Sequence, residues 1–275
     1  MASTQIPLIA SPLYILRDHA AQDLNAVLAK LAELGFDGVE LLGFFGHTPA
    51  DIRRTLDGLG LKALGNHVPW ADLSARPEDV LADHQTLGCG YLTVAGLSAL
   101  DALPLEALAH VADLAARAGI RLLFHNHAEE LQRKVAGRAQ LEELLDAIPA
   151  SVCALEPDIG WMQIGGGDPV YFLRKYADRC PVIHLKDFFL ADGASFSGVP
   201  HSPEGVLLRG GPAEGWFEFR PCGYGISNTA ALLPMALACR PQWLVADHDC
   251  AYDRDPYGDL ALSLTYIKTL LALQA

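Results

Sequence analysis

The chain reads as a single (β/α)8 barrel spanning residues 1–275. Three observations predict it. A short apolar segment followed by an amphipathic one recurs eight times. The composition, 275 residues at 51% hydrophobic and 19% charged, suits one large core and argues against disorder. Carboxylates and imidazoles gather at the C-terminal ends of the apolar segments, where such barrels carry their sites. An open doubly wound sheet is the rival, but eight units in one chain favour closure.

The expected strands are Ile6–Ala10, Gly38–Leu42, Lys62–Asn66, Tyr91–Ala95, Arg121–His125, Val152–Pro157, Val182–Lys186 and Trp243–Asp247. They are short and apolar, as strands buried on both faces of a parallel sheet must be. The helices that follow are expected over Ala20–Leu34, Pro49–Leu59, Pro77–Leu87, Pro104–Ala118, Gln140–Ile148, Pro169–Ala177, Ser227–Ala238 and Tyr257–Leu273. Thr48-Pro49, Asp168-Pro169 and Asp255-Pro256 each place a capping side chain before a proline in the first turn. Gly35, Gly60, Gly88 and Gly119 follow the end of helical periodicity, where positive φ stops a helix. The longest irregular stretch is the loop 189–225 after the seventh strand, rich in Gly, Pro and Ser. Its length suggests a lid or binding loop, with Phe217-Glu218-Phe219 as a short edge strand within it.

Formal net charge is -13, which disfavours nucleic acid as a partner. No apolar run reaches the roughly 18 residues needed to span a membrane. The first residues lack the basic start and apolar core of a secretion signal. Cys89, Cys153, Cys180, Cys222, Cys239 and Cys250 form no CxxC pair and read as buried thiols of a cytoplasmic protein. Apolar Leu264, Tyr266, Ile267 and Leu271 on the last helix suggest either packing within the chain or a homo-oligomer contact.

Polar residues at the strand ends carry the functional reading. These are Glu40, Asn66-His67, His125-Asn126-His127, Glu156-Pro157-Asp158, His184 with Lys186-Asp187, and Asp247-His248-Asp249. Residues two apart on a strand share a face. His125 thus points with His127, Glu156 with Asp158, His184 with Lys186, and Asp247 with Asp249. A few imidazoles and carboxylates converging from four adjacent strands suit one divalent first-row ion. Mn2+ is the first expectation, with Zn2+, Co2+, Fe2+ or Mg2+ as the others. Lys186 is placed to polarise a carbonyl or stabilise an enolate oxygen, or else to pair with a carboxylate. Glu40 and His67 are placed to hydrogen-bond a polar ligand, and Trp161, Trp70 or Trp216 to cover an apolar face of it. Gly165-Gly166-Gly167-Asp168-Pro169 lacks the Lys-Ser/Thr ending of a phosphate loop and reads as a turn before a helix cap. No phosphate grip is visible, so an unphosphorylated substrate is favoured.

The combination of GFDGVELLGFFG, LLFHNHAEE, EPDIGWMQIGGGDPVYFLRKYADRCPVIHLKD, PCGYGI and WLVADHD resembles the sugar phosphate isomerase/epimerase family of xylose isomerase-like barrels. Ketose 3-epimerases, inosose dehydratases and hydroxypyruvate isomerases belong to it, and the resemblance covers nearly the whole chain. It implies one divalent metal held by Glu, Asp, His and Glu from strands 5 to 8. Asp158 and His184 match the middle two. Asp247 stands at the strand-8 Glu, His125 at the strand-5 Glu, and Trp161 where the family has a second histidine. The implied ligand set is therefore His125, Asp158, His184 and Asp247. In the family's epimerases the two glutamates also move the protons, so their replacement shifts that role to Lys186, His127, Asp247 or Glu156. Asp187 and Asp249 are assigned to proton transfer or substrate contact.

The implied activity is a metal-dependent isomerase, epimerase or lyase. It would act through an enediolate on a keto-sugar, keto-glycoside or inosose-like cyclitol. The alternatives are a noncatalytic sugar-binding barrel and an endonuclease IV-like phosphodiesterase, the latter opposed by the net charge.

Overall fold

A computed structural model describes residues 6–97, 103–191 and 217–274. The strands are β1 (Leu8–Pro12), β2 (Gly38–Leu41), β3 (Lys62–Pro69), β4 (Tyr91–Ala95), β5 (Arg121–His125), β6 (Lys134–Val135), β7 (Arg138–Ala139), β8 (Ala154–Glu156), β9 (Val182–Leu190), β10 (Phe217–Arg220) and β11 (Trp243–Asp247). The helices are α1 (Arg17–Leu34), α2 (Pro49–Leu59), α3 (Trp70–Ala75), α4 (Pro77–Leu87), α5 (Leu105–Arg117), α6 (Glu129–Gln132), α7 (Gln140–Ala147), α8 (Ile159–Ile164), α9 (Pro169–Lys175), α10 (Thr229–Ala238) and α11 (Pro256–Gln274).

One sheet holds nine strands in the order β10-β9-β11-β1-β2-β3-β4-β5-β8. All its pairs are parallel except β9 with β10. β8 and β9 meet through one isolated parallel bridge, Asp158 to His184, where His184 N–H donates to Pro157 O at 2.9 Å. The expected eight-strand closure thus rests on a single bridge, because β8 is only three residues long.

Most expected elements are present, with shifted ends. The first strand begins at Leu8, since Pro7 has no N–H to donate; Leu8 N–H reaches Gln242 O at 2.9 Å. The edge strand at Phe217–Arg220 is present, antiparallel to an extended β9. The rest of the loop, positions 192–216 with Trp216, lies outside the described residues. Helices α3, α6 and α8 and the hairpin β6–β7 were not expected; each is too short to show periodicity.

The three expected caps form. Thr48, Asp168 and Asp255 side chains accept from Asp51, Val170 and Tyr257 N–H respectively. The four helix-ending glycines all take positive φ.

The inner face of the sheet is a plug of Ala10, Leu64, Tyr91, Leu123, Ala154, Val182, Trp243 and Val245. Gly38 makes room for it: a Cβ there would lie 2.4 Å from Lys62 O and 2.8 Å from the Trp243 ring. The outer face packs on the helices in a larger apolar layer. Leu264 and Ile267 are buried in that layer, and Tyr266 and Leu271 pack against it, so these four residues serve the chain's own core. The six cysteines are free thiols, five of them buried. Among the described residues no helix is long and apolar enough to cross a membrane.

Candidate active site

Strand alternation builds the site directly above the apolar plug. On β5, Leu123 enters the plug and His125 follows two residues later on the same face. The same step takes Ala154 to Glu156, Val182 to His184 and Val245 to Asp247. β3 reaches the ring differently. Its register against β2 shifts between Val39 and Glu40, so that Val39 pairs with Ala63 but Glu40 with Gly65. The extra residue places both Leu64 and His67 inward, and His67 pairs with Thr93 of β4.

The result is a compact set of buried charges. His67 Nε2 lies 3.3 Å from Glu40 and 3.4 Å from Glu156. His125 Nδ1 is 3.4 Å from Glu156. His184 Nε2 is 3.2 Å from Glu40 and 3.6 Å from Glu156, while its Nδ1 faces Asp247 at 3.0 Å. Thr93 Oγ1 donates to Glu156 Oε2 at 3.0 Å. One layer further out, Lys186 Nζ sits 3.0 Å from Asp158, 3.0 Å from Asp247 and 2.7 Å from Asp249. The ammonium also faces the rings of Trp161 at 4.8 Å and Phe219 at 5.6 Å.

Burial and charge pull in opposite directions here. Burial alone would lower the Lys186 pKa, but Asp158, Asp247 and Asp249 outweigh it and hold the group well above its usual value. Burial likewise opposes charge on His67, yet Glu40 and Glu156 push it up to about 10. His184 rises for the same reason, under Glu40, Glu156 and Asp247. His125 goes the other way: burial dominates, and the charge of His184 adds to it against Glu156. Asp158 and Asp247 share one ammonium. Burial lifts Asp158 to about 7, while Lys186 and His184 overcome burial at Asp247 and hold it well below the usual range.

These residues form the floor and wall of a cavity of about 280 Å3, lined by Glu40, His67, His125, His127, Trp161, His184, Lys186, Asp247 and Asp249 among others. His127 is exposed at the rim, edge-on to His125 and Trp161. Trp161 is held by its helix: Asp158 caps α8 by accepting Trp161 N–H at 2.8 Å. Gly160 lets that helix touch β9, since a Cβ there would fall 2.7 Å from Lys186 Cβ.

Three expectations need correction. Asp187 does not face the cavity. It is one residue from Lys186 and so points to the opposite side of β9, where its carboxylate accepts N–H bonds from Phe188, Gly223, Gly225 and Ser227. It anchors the start of the segment leading to α10. Glu156 is wholly buried beneath the imidazoles and lies off the cavity surface, so it meets no substrate proton directly. Trp70 packs on the core from α3 instead of lining the cavity.

The sequence reading passed over Thr93 and Tyr14 and gave Asn126 no role. Asn126 Nδ2 donates to Asp158 O at 3.3 Å, and Asp158 N–H donates back to Asn126 Oδ1 at 3.1 Å. Tyr14 lines the cavity, and Arg17 ties its carbonyl to that of Asp249. Thr93 carried a usable signal, since it lies two residues after inward-facing Tyr91 on an otherwise apolar strand.

Among the described residues, two groups of side chains offer metal donors within 4.8 Å of one another: His67, His125, Glu156 and His184, and separately Asp158, His184 and Asp247. The expected set His125, Asp158, His184 and Asp247 is therefore divided between them. Glu40 Oε1, His67 Nε2, His125 Nδ1, Glu156 Oε1, Asp158 Oδ2 and His184 Nε2 are buried with no hydrogen-bond partner. Buried polar atoms left in that state fit a bound cation.

Comparison with known proteins bears on the fold and the family. An inosose dehydratase from Geobacillus kaustophilus is 26% identical over 202 residues, covering 62% of this chain and 64% of that relative. The chain thus spans under two thirds of the length of that curated relative. A sugar phosphate isomerase/epimerase from Parabacteroides distasonis shares the fold with a TM-score of 0.70 at 17% identity, covering 97% of this chain and 96% of that one. A probable 3-DHS dehydratase, AsbF, from Bacillus anthracis superposes with a TM-score of 0.69 at 14% identity, covering 95% and 98%. The profile of one family matches residues 28–245, and the chain belongs to that family, the xylose isomerase-like TIM barrels.

Proposed function

We propose that the chain is a divalent-metal-dependent isomerase, epimerase or lyase. Its substrate is a keto-sugar, keto-glycoside or inosose-like cyclitol, and its chemistry runs through an enediolate. The observation that carries this reading is the meeting of unpartnered imidazole and carboxylate donors with a charged lysine on the floor of one cavity. The similarity to an inosose dehydratase supports the substrate class. A cavity of about 280 Å3 suits a single sugar or cyclitol ring.

A divalent ion, when bound, supplies Lewis acidity to a carbonyl and its neighbouring hydroxyl and so acidifies the adjacent C–H. The chain's own groups do the rest. Lys186 stays protonated among its carboxylates, so it donates to a developing enolate oxygen and does not take the proton. His127 reaches the cavity from the rim and belongs to neither donor group, which leaves its ring nitrogen free to accept the α-proton. Asp247 and Asp249 hold Lys186 in place, and Glu40 meets substrate hydroxyls at the wall. Trp161 covers the apolar face of the ring.

The test is deuterium exchange at the α-carbon across a panel of ketoses, 3-keto-glycosides and inososes, with Mn2+ as the first ion tried. At least one member is expected to exchange. Absence of exchange and turnover across the panel refutes the reaction, and tight binding without exchange would indicate a sugar-binding barrel.

A further inference from the structure

Two cation sites lie side by side at the mouth, and they differ in what already fills them. His184 stands between them, its Nδ1 toward Asp247 and its Nε2 toward Glu40 and Glu156. On the Nδ1 side, Asp158 and Asp247 each have the Lys186 ammonium at 3.0 Å, and Asp249 has it at 2.7 Å. These are ordinary ion-pair distances. A divalent ion bonded to both Asp158 and Asp247 would have to share that space with a fixed positive charge.

On the Nε2 side the separations have another character. His67 Nε2 and His125 Nδ1 each lie 3.4 Å from Glu156 Oε2, His184 Nε2 lies 3.6 Å from Glu156 Oε1, and none of these imidazole nitrogens makes a hydrogen bond. A tetrahedral ion with bonds of about 2.0–2.1 Å sets its donors about 3.3–3.4 Å apart. The two separations from Glu156 Oε2, to His67 and His125, match edges of such a tetrahedron, and neither is a hydrogen bond.

We infer that the resident divalent ion is held by His67, His125, Glu156 and His184, and that Lys186 serves as the built-in cation of the neighbouring Asp158–Asp247–Asp249 group. This assignment rests on the metal dependence proposed above. Around the four ligands the outer partners are in place. Asp247 accepts from His184 Nδ1 at 3.0 Å and so fixes the tautomer that exposes Nε2. Thr93 holds Glu156 Oε2. Glu40 adds a second negative charge 3.2–3.3 Å from His184 and His67. Three imidazoles and one carboxylate favour Zn2+, Co2+ or Fe2+ over Mg2+. His67, His125 and His184 all line the cavity, so the ligand set lies against the substrate space.

Counting imidazoles tests the assignment without relying on activity. Full-length protein is stripped with chelator, loaded with Cu2+ and examined by pulsed EPR. Three coordinated imidazoles are expected; the alternative group, Asp158, His184 and Asp247, would show one. In parallel, H67Q and E156Q are expected to weaken Zn2+ binding by about 100-fold or more, while D158N and D249N stay within about tenfold. Asn at 158 still offers an oxygen to the Trp161 N–H, which keeps the helix cap.

One imidazole together with Zn2+ loss in D158N but not in H67Q overturns the inference, as does failure of the wild-type protein to bind either ion. In the first of these cases deuterium exchange by the wild-type enzyme would leave the proposed reaction standing. Three imidazoles without exchange on any substrate would uphold the ligand set and refute the reaction.

Discussion

The two ends of the sheet each carry a cavity, and only the one at the strand ends is placed for chemistry. At the strand starts a cavity of about 360 Å3 is lined by Arg53, Asp57, Lys62, Tyr91, Gln242 and Trp243 among others. There the polar groups answer one another. Arg53 Nε reaches both Asp57 oxygens at 2.8 Å, and its Nη1 donates to Leu87 O at 3.3 Å. Tyr91 Oη donates to Gln242 Oε1 at 2.8 Å. At the strand ends the cavity is about 280 Å3, and six nitrogen and oxygen atoms around its floor have no hydrogen-bond partner. Unanswered bonding capacity marks the site better than volume does.

The largest effect that would break this comparison is functional. K186M should lower kcat/KM by about a thousandfold, the upper range for a lost oxyanion donor, whereas R53M at the other end should leave it within about twofold. Comparable losses from both would show that the two cavities do not differ as described.

A second test separates the two faces of one strand. D187A removes the acceptor of four backbone N–H groups and should cost about 3 kcal/mol in urea unfolding. Its KM, measured where the protein is folded, should stay within about twofold. A raised KM with unchanged stability would return Asp187 to the substrate.

Smaller still is the periphery of the mouth. T48A deletes the cap of α2 and should lower stability by about 1 kcal/mol without touching turnover.

The smallest effect belongs near the other end, where His84 is buried in α4 with Nδ1 at 2.6 Å from Val80 O. Burial lowers its pKa on folding, so the folded state prefers the neutral ring. Stability from this group is complete above the unfolded value of about 6.5 and declines as pH falls through the folded value. Between pH 7 and 5, H84Q should lose about one degree less in Tm than the parent. An equal loss in both would remove His84 from the pH response.

Much of this was readable from residue order. Alternation along strands correctly grouped His184 with Lys186 and Asp247 with Asp249, because parity needs no knowledge of neighbours. The same rule, applied strictly, also places Asp187 outward; its position beside Lys186 in a polar motif obscured that. The Thr48, Asp168 and Asp255 caps were legible because a cap is local chemistry.

What was not legible depends on separation across strands. The shifted register of β3 turns His67 toward Glu156, and nothing in LKALGNHVPW announces an extra residue. Nor does spacing reveal that Lys186 Nζ lies within 3.0 Å of both Asp158 and Asp247, which divides the expected ligands into two groups. The helix carrying Trp161 has six residues, too few for a period to appear.

The lone bridge between Asp158 and His184 has a mechanical meaning. The first and last strands of the parallel sheet are joined where the charged groups sit, and nowhere else by strand pairing. Whatever occupies the space between Glu156 of β8 and His184 of β9 therefore spans the seam of the structure. Occupancy and the stiffness of that seam become one linked equilibrium, in which a bound species raises the cost of opening the two strands with the logarithm of its concentration over its dissociation constant.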